Sequence, residues 1–213
     1  MNQFASQRRP VRDDSAIPNV IFVLLVLNGL VYAAQQFVPN LLLYYFALWP
    51  INSVTGPDFQ PWQLLSYGFM HDTRSLMHIL FNMFALWMFG RDIERLLGSK
   101  SFLIYYLTCV VGAGIVQLIV AALQGGDYPP TLGASGGVFG LLLAFAMFFP
   151  NRTIMLLFPP IPLPAKYFVV LFGLFELYLG VSGRGVGVAN FAHLGGMLFG
   201  FLLLQYWRTQ RRR

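Results

Sequence analysis

The chain contains six long apolar segments, and these restrict its possible folds more than any other feature. Each has close to the roughly 20 residues that an α-helix needs to cross the hydrocarbon core of a bilayer. The segments cover residues 18–37, 75–97, 101–123, 133–149, 165–182 and 190–207. Charged residues make up only 10% of the 213 residues, against about 25% in soluble globular proteins. We therefore predict an all-α, polytopic membrane protein with six transmembrane helices and no soluble domain.

The polar and interrupted parts of the chain lie around these segments. We expect residues 1–17 to be a polar N-terminal tail, 18–207 to be the six-span domain and 208–213 to be a basic C-terminal tail. The interval 38–74 contains aromatic and apolar pieces broken by four prolines, so it is too interrupted for a span. Because Trp and Tyr favour the membrane interface, this interval predicts a structured first loop at that depth. Residues 158–166 predict a proline-rich connection.

The basic residues predict the orientation of the chain. Twelve of the fourteen Lys and Arg residues fall on the side of the membrane that carries both termini, and Arg74 and Arg184 fall on the other. By the positive-inside rule, both termini are then cytoplasmic. The net charge of +6 thus reflects membrane topology, and we expect no nucleic-acid partner. Cys109 lies within an apolar span and is expected to be a small buried residue.

Four polar side chains lie near the start of three spans, at one depth on the outer side. Ser135 begins the fourth span, His78 and Asn82 lie one helical turn apart in the second, and His193 lies in the first turn of the sixth. At a rise of about 1.5 Å per residue, all four fall within roughly the outer third of the membrane. Polar groups in hydrocarbon are costly and normally face the bundle interior, so we expect these side chains to converge.

These residue types are the ones that acyl transfer requires. A serine hydroxyl becomes a good nucleophile when a neutral imidazole takes its proton, and His193 is the candidate base for Ser135. The Asn82 amide, the His78 N–H and the Ser135 backbone N–H suit a developing oxyanion. Glu176, in the outer half of the fifth span, has either a functional or a structural role. Apart from Glu176, no Asp or Glu is evident at this depth to orient His193. We therefore expect a Ser–His dyad and not a full triad.

Three short motifs carry a resemblance to a known family. The sequences "HILFN" in the second span, "GASG" in the fourth and "AHLGG" in the sixth resemble the signature motifs of the rhomboid intramembrane serine proteases, in the minimal six-span bacterial form. The resemblance implies a serine endopeptidase that cuts in or next to the transmembrane segment of membrane-protein substrates. It also implies a place in the bacterial plasma membrane, with the active site towards the extracytoplasmic side.

The same resemblance assigns roles to individual residues. Ser135 is the nucleophile, and His193 is the general base and then the general acid. His78, Asn82 and the Ser135 N–H line the oxyanion hole, and Gly133 lets the chain approach the substrate carbonyl. The family uses no metal or cofactor, so none is expected here.

Three further positions bear on the resemblance. Many rhomboids have Trp-Arg in the first loop, whereas this chain has Trp62-Gln63, which leaves the anchoring of that loop open. Many bacterial members place a tyrosine four residues after the serine, where it stacks on the catalytic histidine. Phe139 at this position retains the stacking but not a phenolic hydrogen bond. His71 matches a family histidine that is expected to be structural.

Other interpretations of these residues lead to other functions. The glycines around Ser135 fit the small-xxx-small pattern of helix packing, a role that is compatible with a catalytic serine. Gly196 with Gly200 fits the same pattern, and we expect this pair to draw the sixth span against the fourth so that His193 reaches Ser135. The stretch "GASGG" also fits the G-x-S-x-G elbow of α/β-hydrolases, but that elbow needs a preceding strand and a soluble sheet. Three histidines without a carboxylate or thiol do not support a closed metal site. A silent scaffold for client helices and a small transporter are the alternative functions, and neither requires an activated serine.

Overall fold

A computed structural model of the protein describes residues 18–51, 53, 56–125, 128–156, 160–182 and 189–210. Its helices are α1 (Asn19–Phe37), α2 (Pro39–Phe46), α3 (Gln63–Ser66), α4 (Leu76–Leu97), α5 (Ser99–Gln124), α6 (Ser135–Phe148), α7 (Ala165–Ser182) and α8 (Asn190–Gln210). A 3₁₀ turn (Tyr67–Phe69) follows α3, and strands β1 (Thr153–Met155) and β2 (Pro162–Pro164) form an antiparallel pair between α6 and α7. The N-terminal tail, 1–17, lies outside the described residues, as do residues 211–213 of the C-terminal tail.

Each of the six predicted spans contains one long helix, so the predicted all-α polytopic bundle is confirmed. By length and composition, α1, α5 and α7 are long and apolar enough to cross a membrane. The helices α4 and α8 have 22 and 21 residues and carry an arginine in the last turn. The helix α6 has only 14 residues, about 21 Å in length, against a hydrocarbon core of roughly 30 Å. The two ends of α6 therefore cannot both reach the membrane surfaces.

Prolines and one glycine mark the ends of several helices. Pro18 precedes α1, Pro39 occupies the first position of α2, and Pro150 follows α6. The chain reverses between α4 and α5 at Gly98, whose φ of +81° would strain any side chain. The proline-rich connection predicted over 158–166 is not helical before Ala165, and β2 forms within it. Residues 157–159 lie outside the described part of the chain.

Small residues bring α5, α6 and α8 close together. A Cβ on Gly196 of α8 would lie 1.9 Å from the carbonyl oxygen of Gly136 of α6, so the two backbones touch. From α5, the Tyr105 hydroxyl donates a hydrogen bond to the Gly140 carbonyl at 2.7 Å. Cys109 is fully buried beside Gly140. The predicted packing role of Gly196 and the predicted burial of Cys109 are both confirmed.

The described part of the first loop is built around one buried glutamine. Gln63 is 1% exposed, and its Oε1 accepts the backbone N–H groups of Trp49 and Gln60, each at 3.2 Å. The indole N–H of Trp62 and the hydroxyl of Ser66 donate to carbonyl groups in the last turn of α2. Gln63 thus anchors the loop, a question that the Trp62-Gln63 pair left open in the sequence.

Acidic residues join the helices at the end of the bundle where α4 ends and α1 begins. Glu94 is 2% exposed, and its carboxylate accepts the N–H groups of Val20 and Ile21 and the hydroxyl of Ser99. It therefore caps the first turn of α1, whose N–H groups have no partner within the helix. Asp92 forms an ion pair with Arg152, which precedes β1.

Candidate active site

Three parallel helices bring their N-terminal ends together at one end of the bundle. His78 is the third residue of α4, Ser135 is the first residue of α6 and His193 is the fourth residue of α8. Farther along, Phe89 of α4 packs on Phe145 of α6, with ring centroids 5.2 Å apart, so these two helices run in the same direction. The depth shared by these polar residues in the sequence is therefore also shared in the fold.

A hydrogen bond joins Ser135 and His193. The Ser135 Oγ lies 2.8 Å from the His193 Nε2. The contact between Gly136 and Gly196 makes this distance possible, because it holds the first turns of α6 and α8 backbone to backbone. His193 is buried, whereas Ser135 is half-buried, so the hydroxyl is the more accessible member of the pair.

The second ring nitrogen of His193 faces a carboxylate. His193 Nδ1 lies 2.9 Å from the Oε2 of Glu176, which is 5% exposed on α7. The Asn190 amide donates to the same oxygen at 2.6 Å. An ionised carboxylate only accepts hydrogen bonds, so these partners assign the imidazole proton to Nδ1 and leave the Nε2 lone pair facing Ser135. The structure thus gives His193 the acidic neighbour that the predicted dyad lacks.

His78 is held in the opposite tautomer. Its Nδ1 accepts the backbone N–H of Asp72 at 3.1 Å, so the proton of the neutral ring belongs on Nε2. That nitrogen points towards Gly133: a Cβ at Gly133 would lie 3.0 Å from His78 Nε2 and 3.6 Å from Ser135 Oγ. The structure therefore places an N–H donor and the serine hydroxyl around the same small space.

Gly133 is required by both its conformation and its surroundings. Its φ is +130°, which L side chains rarely adopt, and its N–H donates to the carbonyl of Tyr67 at 3.0 Å. A side chain at this position would occupy the space between His78 and Ser135. The structure thus leaves a small space beside the serine at Gly133, and the role of this glycine in admitting the substrate carbonyl stays a prediction.

Asn82 lies one turn beyond His78 on α4, as the sequence spacing predicts. It is 7% exposed, and its amide donates to the carbonyl of His78 in its own helix at 2.9 Å. A primary amide carries two hydrogens, so this bond leaves one for a further acceptor. The hydrogen bond that the structure shows for Asn82 is thus within α4 and not to Ser135.

An aromatic stack covers one face of His193. The Phe139 and His193 rings have centroids 4.2 Å apart and an interplanar angle of 6°. Phe172 of α7 stacks on the far side of Phe139 with centroids 5.1 Å apart. The predicted stacking of Phe139 on His193 is confirmed.

A cavity of about 1000 Å³ lies next to this group of residues. It is lined by His78 from α4, Gln117 from α5, Asn190 from α8 and the segments 71–74 and 128–132. Its lining combines amide, imidazole and charged groups with apolar side chains, and the polar part of such a lining can be hydrated. The cavity therefore gives polar solvent a place inside an otherwise apolar bundle.

His71 packs behind His78 at the edge of this cavity. The two rings meet edge to face with centroids 5.2 Å apart. Gln35 of α1 holds the His71 backbone on both sides, donating to its carbonyl at 2.8 Å and accepting its N–H at 3.0 Å. Burial lowers the pKa of His71 to about 4, so the ring is neutral at neutral pH. These contacts agree with the structural role expected for His71.

The described residues contain no group of three or more His, Cys, Asp or Glu side chains that could hold a metal ion.

The Rhomboid domain family model matches residues 58–209, which include the site and five of the six long helices. The chain belongs to the rhomboid family. Among its relatives, it is 29% identical over 202 residues to "Rhomboid protein 1, mitochondrial" of Saccharomyces cerevisiae, covering 92% of this chain and 56% of that protein. It is 30% identical over 192 residues to "Rhomboid protease GlpG" of Serratia proteamaculans, with coverages of 85% and 60%.

A further relative shares its name with the Serratia protein. "Rhomboid protease GlpG" of Yersinia pestis is 27% identical over 191 residues, which cover 87% of this chain and 61% of that protein. The matched regions thus make up less than two thirds of the length of each of these rhomboids.

In this rhomboid, sequence reasoning missed the partners of the histidines. It left the role of Glu176 open and assigned no role to Asn190 or Gln35. Glu176 did carry a signal, because it is an acidic residue in the same outer half of the bundle as Ser135 and His193. Asn190 lies one turn before His193, so helical spacing would have placed both on one face of α8.

Proposed function

We propose that this rhomboid is an intramembrane serine endopeptidase that hydrolyses a peptide bond in or next to the transmembrane segment of a membrane-protein substrate. The observation that carries the proposal is the 2.8 Å hydrogen bond between Ser135 and His193 at a half-buried serine inside an apolar helix bundle. Two of the relatives reported above have "protease" in their names, which supports the same class of activity.

The proposed reaction begins when Ser135 Oγ attacks the carbonyl carbon of the scissile bond and passes its proton to His193 Nε2. The C–N bond then breaks, and the imidazolium gives that proton to the leaving amine. Water attacks the resulting acyl-enzyme, again with His193 as the base, and restores the serine hydroxyl. Side chains of the protein and one water molecule supply every step, so the mechanism needs no metal or cofactor.

The proposed oxyanion hole consists of the His78 Nε2–H, the Asn82 amide and the Ser135 backbone N–H. The tautomer of His78 supports its part, because the Asp72 N–H occupies Nδ1 and leaves the proton on Nε2. The position of Ser135 supports the backbone donor, because the first N–H groups of a helix have no partner within it and lie at its positive end. Gly133 leaves room for the substrate carbonyl beside these donors.

The same proposal includes a path for water and substrate to Ser135 and an orientation of the protein in the membrane. Water would reach Ser135 through the cavity next to His78 and Asn190. The substrate helix would enter laterally, between α4 and α7, and unwind locally before cleavage. We place the protein in a bacterial plasma membrane with both termini cytoplasmic and the active site towards the extracytoplasmic side. Residues 18–207 would form the protease domain, between the tails at 1–17 and 208–213.

The test is cleavage of a generic single-span substrate in liposomes by the wild type, Ser135→Ala and His193→Ala. A fluorophosphonate probe is applied in parallel, because it labels an activated serine without requiring the correct substrate. We expect the wild type to cut and to be labelled, and both variants to be folded and inactive.

The alternative functions give different results in the same experiment. A silent scaffold or a transporter has no activated hydroxyl, so a folded wild type that is neither active nor labelled would favour those classes. Cleavage that persists in Ser135→Ala would show that the protease assignment at this residue is wrong.

A further inference from the structure

Glu176 is a carboxylate buried in a helix that is otherwise turned largely outward. Of the side chains of α7, only Ala165, Val169 and Glu176 are buried. A carboxylate in an apolar bundle is costly unless hydrogen bonds satisfy it. Both donors that the structure shows for it, Asn190 and His193, come from α8 and bind the same oxygen, Oε2.

The two donors form one unit. Asn190 and His193 are three residues apart on α8, so both face α7. The Asn190 amide holds Oε2 at 2.6 Å, and that oxygen then lies 2.9 Å from His193 Nδ1. A carboxylate fixed in this way defines the direction in which the Nδ1–H bond must point.

The aromatic stack cannot supply this direction. Phe139 lies parallel to the His193 ring, so a half-turn of the imidazole about its own long axis would keep the stacking intact. Such a half-turn would exchange Nδ1 with Cδ2 and Nε2 with Cε1, so that Nε2 would no longer face Ser135. Phe139 also has no polar atom that could bind Nδ1. The hydrogen bond to Glu176 is therefore the contact that selects the reactive orientation and the tautomer.

We propose that Glu176, oriented by Asn190, is a positioning residue for His193, so that Ser135, His193 and Glu176 act as a triad. The carboxylate holds the proton on Nδ1 before the reaction. It then stabilises the imidazolium that forms when Nε2 takes the serine proton. This inference rests on the proposed protease function and adds the acidic member that the predicted dyad lacks.

The test compares three variants of the full chain in liposomes: Glu176→Gln, Glu176→Asp and Glu94→Gln. Glu94→Gln is the matched control, because Glu94 is also buried but caps α1 at the other end of the bundle. The measurements are kcat and KM for a single-span substrate, the rate of fluorophosphonate labelling, and the thermal midpoint of each variant.

We expect Glu176→Gln to lower kcat and the labelling rate by roughly 10- to 100-fold at nearly unchanged KM, the range for losing a charge-assisted hydrogen bond. Glu176→Asp retains the charge and should recover part of both rates. Glu94→Gln should lower the thermal midpoint and leave the kcat of the folded protein unchanged. If Glu176→Gln does not fold, Asn190→Ala serves in its place, with an expected loss of about three- to tenfold in kcat.

The outcomes separate this inference from the function on which it rests. If Ser135→Ala abolishes cleavage but Glu176→Gln keeps both rates within about twofold of the wild type, the positioning role is refuted alone. It is also refuted if Glu176→Gln behaves like Glu94→Gln and loses only stability. A folded wild type with neither cleavage nor labelling would overturn the protease function and this inference together.

Discussion

Replacing Gly196 by alanine tests whether backbone contact between α6 and α8 sets the geometry of the site. The added Cβ would lie 1.9 Å from the Gly136 carbonyl oxygen, roughly 1.5 Å closer than ordinary van der Waals contact allows. The obstacle is backbone on both sides, so no side chain can rotate away and the helices must separate. His193 lies one turn before Gly196, and its distance to Ser135 is already 2.8 Å. A separation of about 1 Å would therefore break that hydrogen bond.

We expect Gly196→Ala to lower kcat about 100-fold, the typical effect of displacing a catalytic group by about 1 Å. Overpacking should also reduce the free energy of unfolding by about 1–3 kcal/mol. The assay is cleavage of a single-span substrate together with fluorophosphonate labelling, each normalised to the folded fraction. Thermal unfolding in detergent measures the change in stability.

The matched control is Gly29→Ala in α1. A Cβ at Gly29 meets nothing within 4 Å, so this variant should keep full activity and gain up to about 1 kcal/mol from alanine's helix propensity. The reasoning would be refuted if Gly196→Ala retained activity within about twofold of the wild type while Gly29→Ala did the same.

Three further predictions follow from other contacts. Gly133→Ala should reduce kcat at least about 100-fold, because its Cβ fills the space beside His78 at a strained φ; steady-state cleavage measures this. Gln63→Ala should lower stability by about 1–3 kcal/mol, since the buried N–H of Trp49 and the half-buried N–H of Gln60 lose their acceptor; thermal unfolding checks it. His71, whose pKa is about 4 when folded, binds a proton in the unfolded chain from about pH 6.5 downward. Stability should therefore fall by up to about 3 kcal/mol between pH 6.5 and 4, and less in His71→Leu, in thermal melts across that range.

The positions of the long helices could be predicted because the bilayer acts on local composition. An apolar run near 20 residues is transferred into hydrocarbon whatever its neighbours do, so α1, α5 and α7 follow from the sequence alone. The pair His78 and Asn82 could be placed on one face of α4 because helical periodicity is also local. The fourth and sixth spans begin on the same side of the membrane, so Ser135 and His193, which lie near the starts of these spans, could be placed at one depth.

The depth of a residue in the membrane and the helix face on which it lies do not determine how two helices rotate and slide against each other. The Gly136–Gly196 contact sets the rotation of α6 against α8, and it depends on residues 60 positions apart. The small-xxx-small pattern predicted that Gly196 packs α8 against α6, but it could not show that Gly196 meets Gly136.

What the sequence alone determined is a six-span helical membrane protein with a serine and two histidines at one level, since hydropathy and helical spacing are local properties. Only the tertiary structure decided which atoms meet: His193 Nε2 with Ser135, His193 Nδ1 with Glu176, and Asp72 with His78 Nδ1. These contacts join separate helices and a loop. Hydrogen bonds require donor and acceptor to be placed within a few tenths of an ångström, and only the packing of the whole bundle provides that placement.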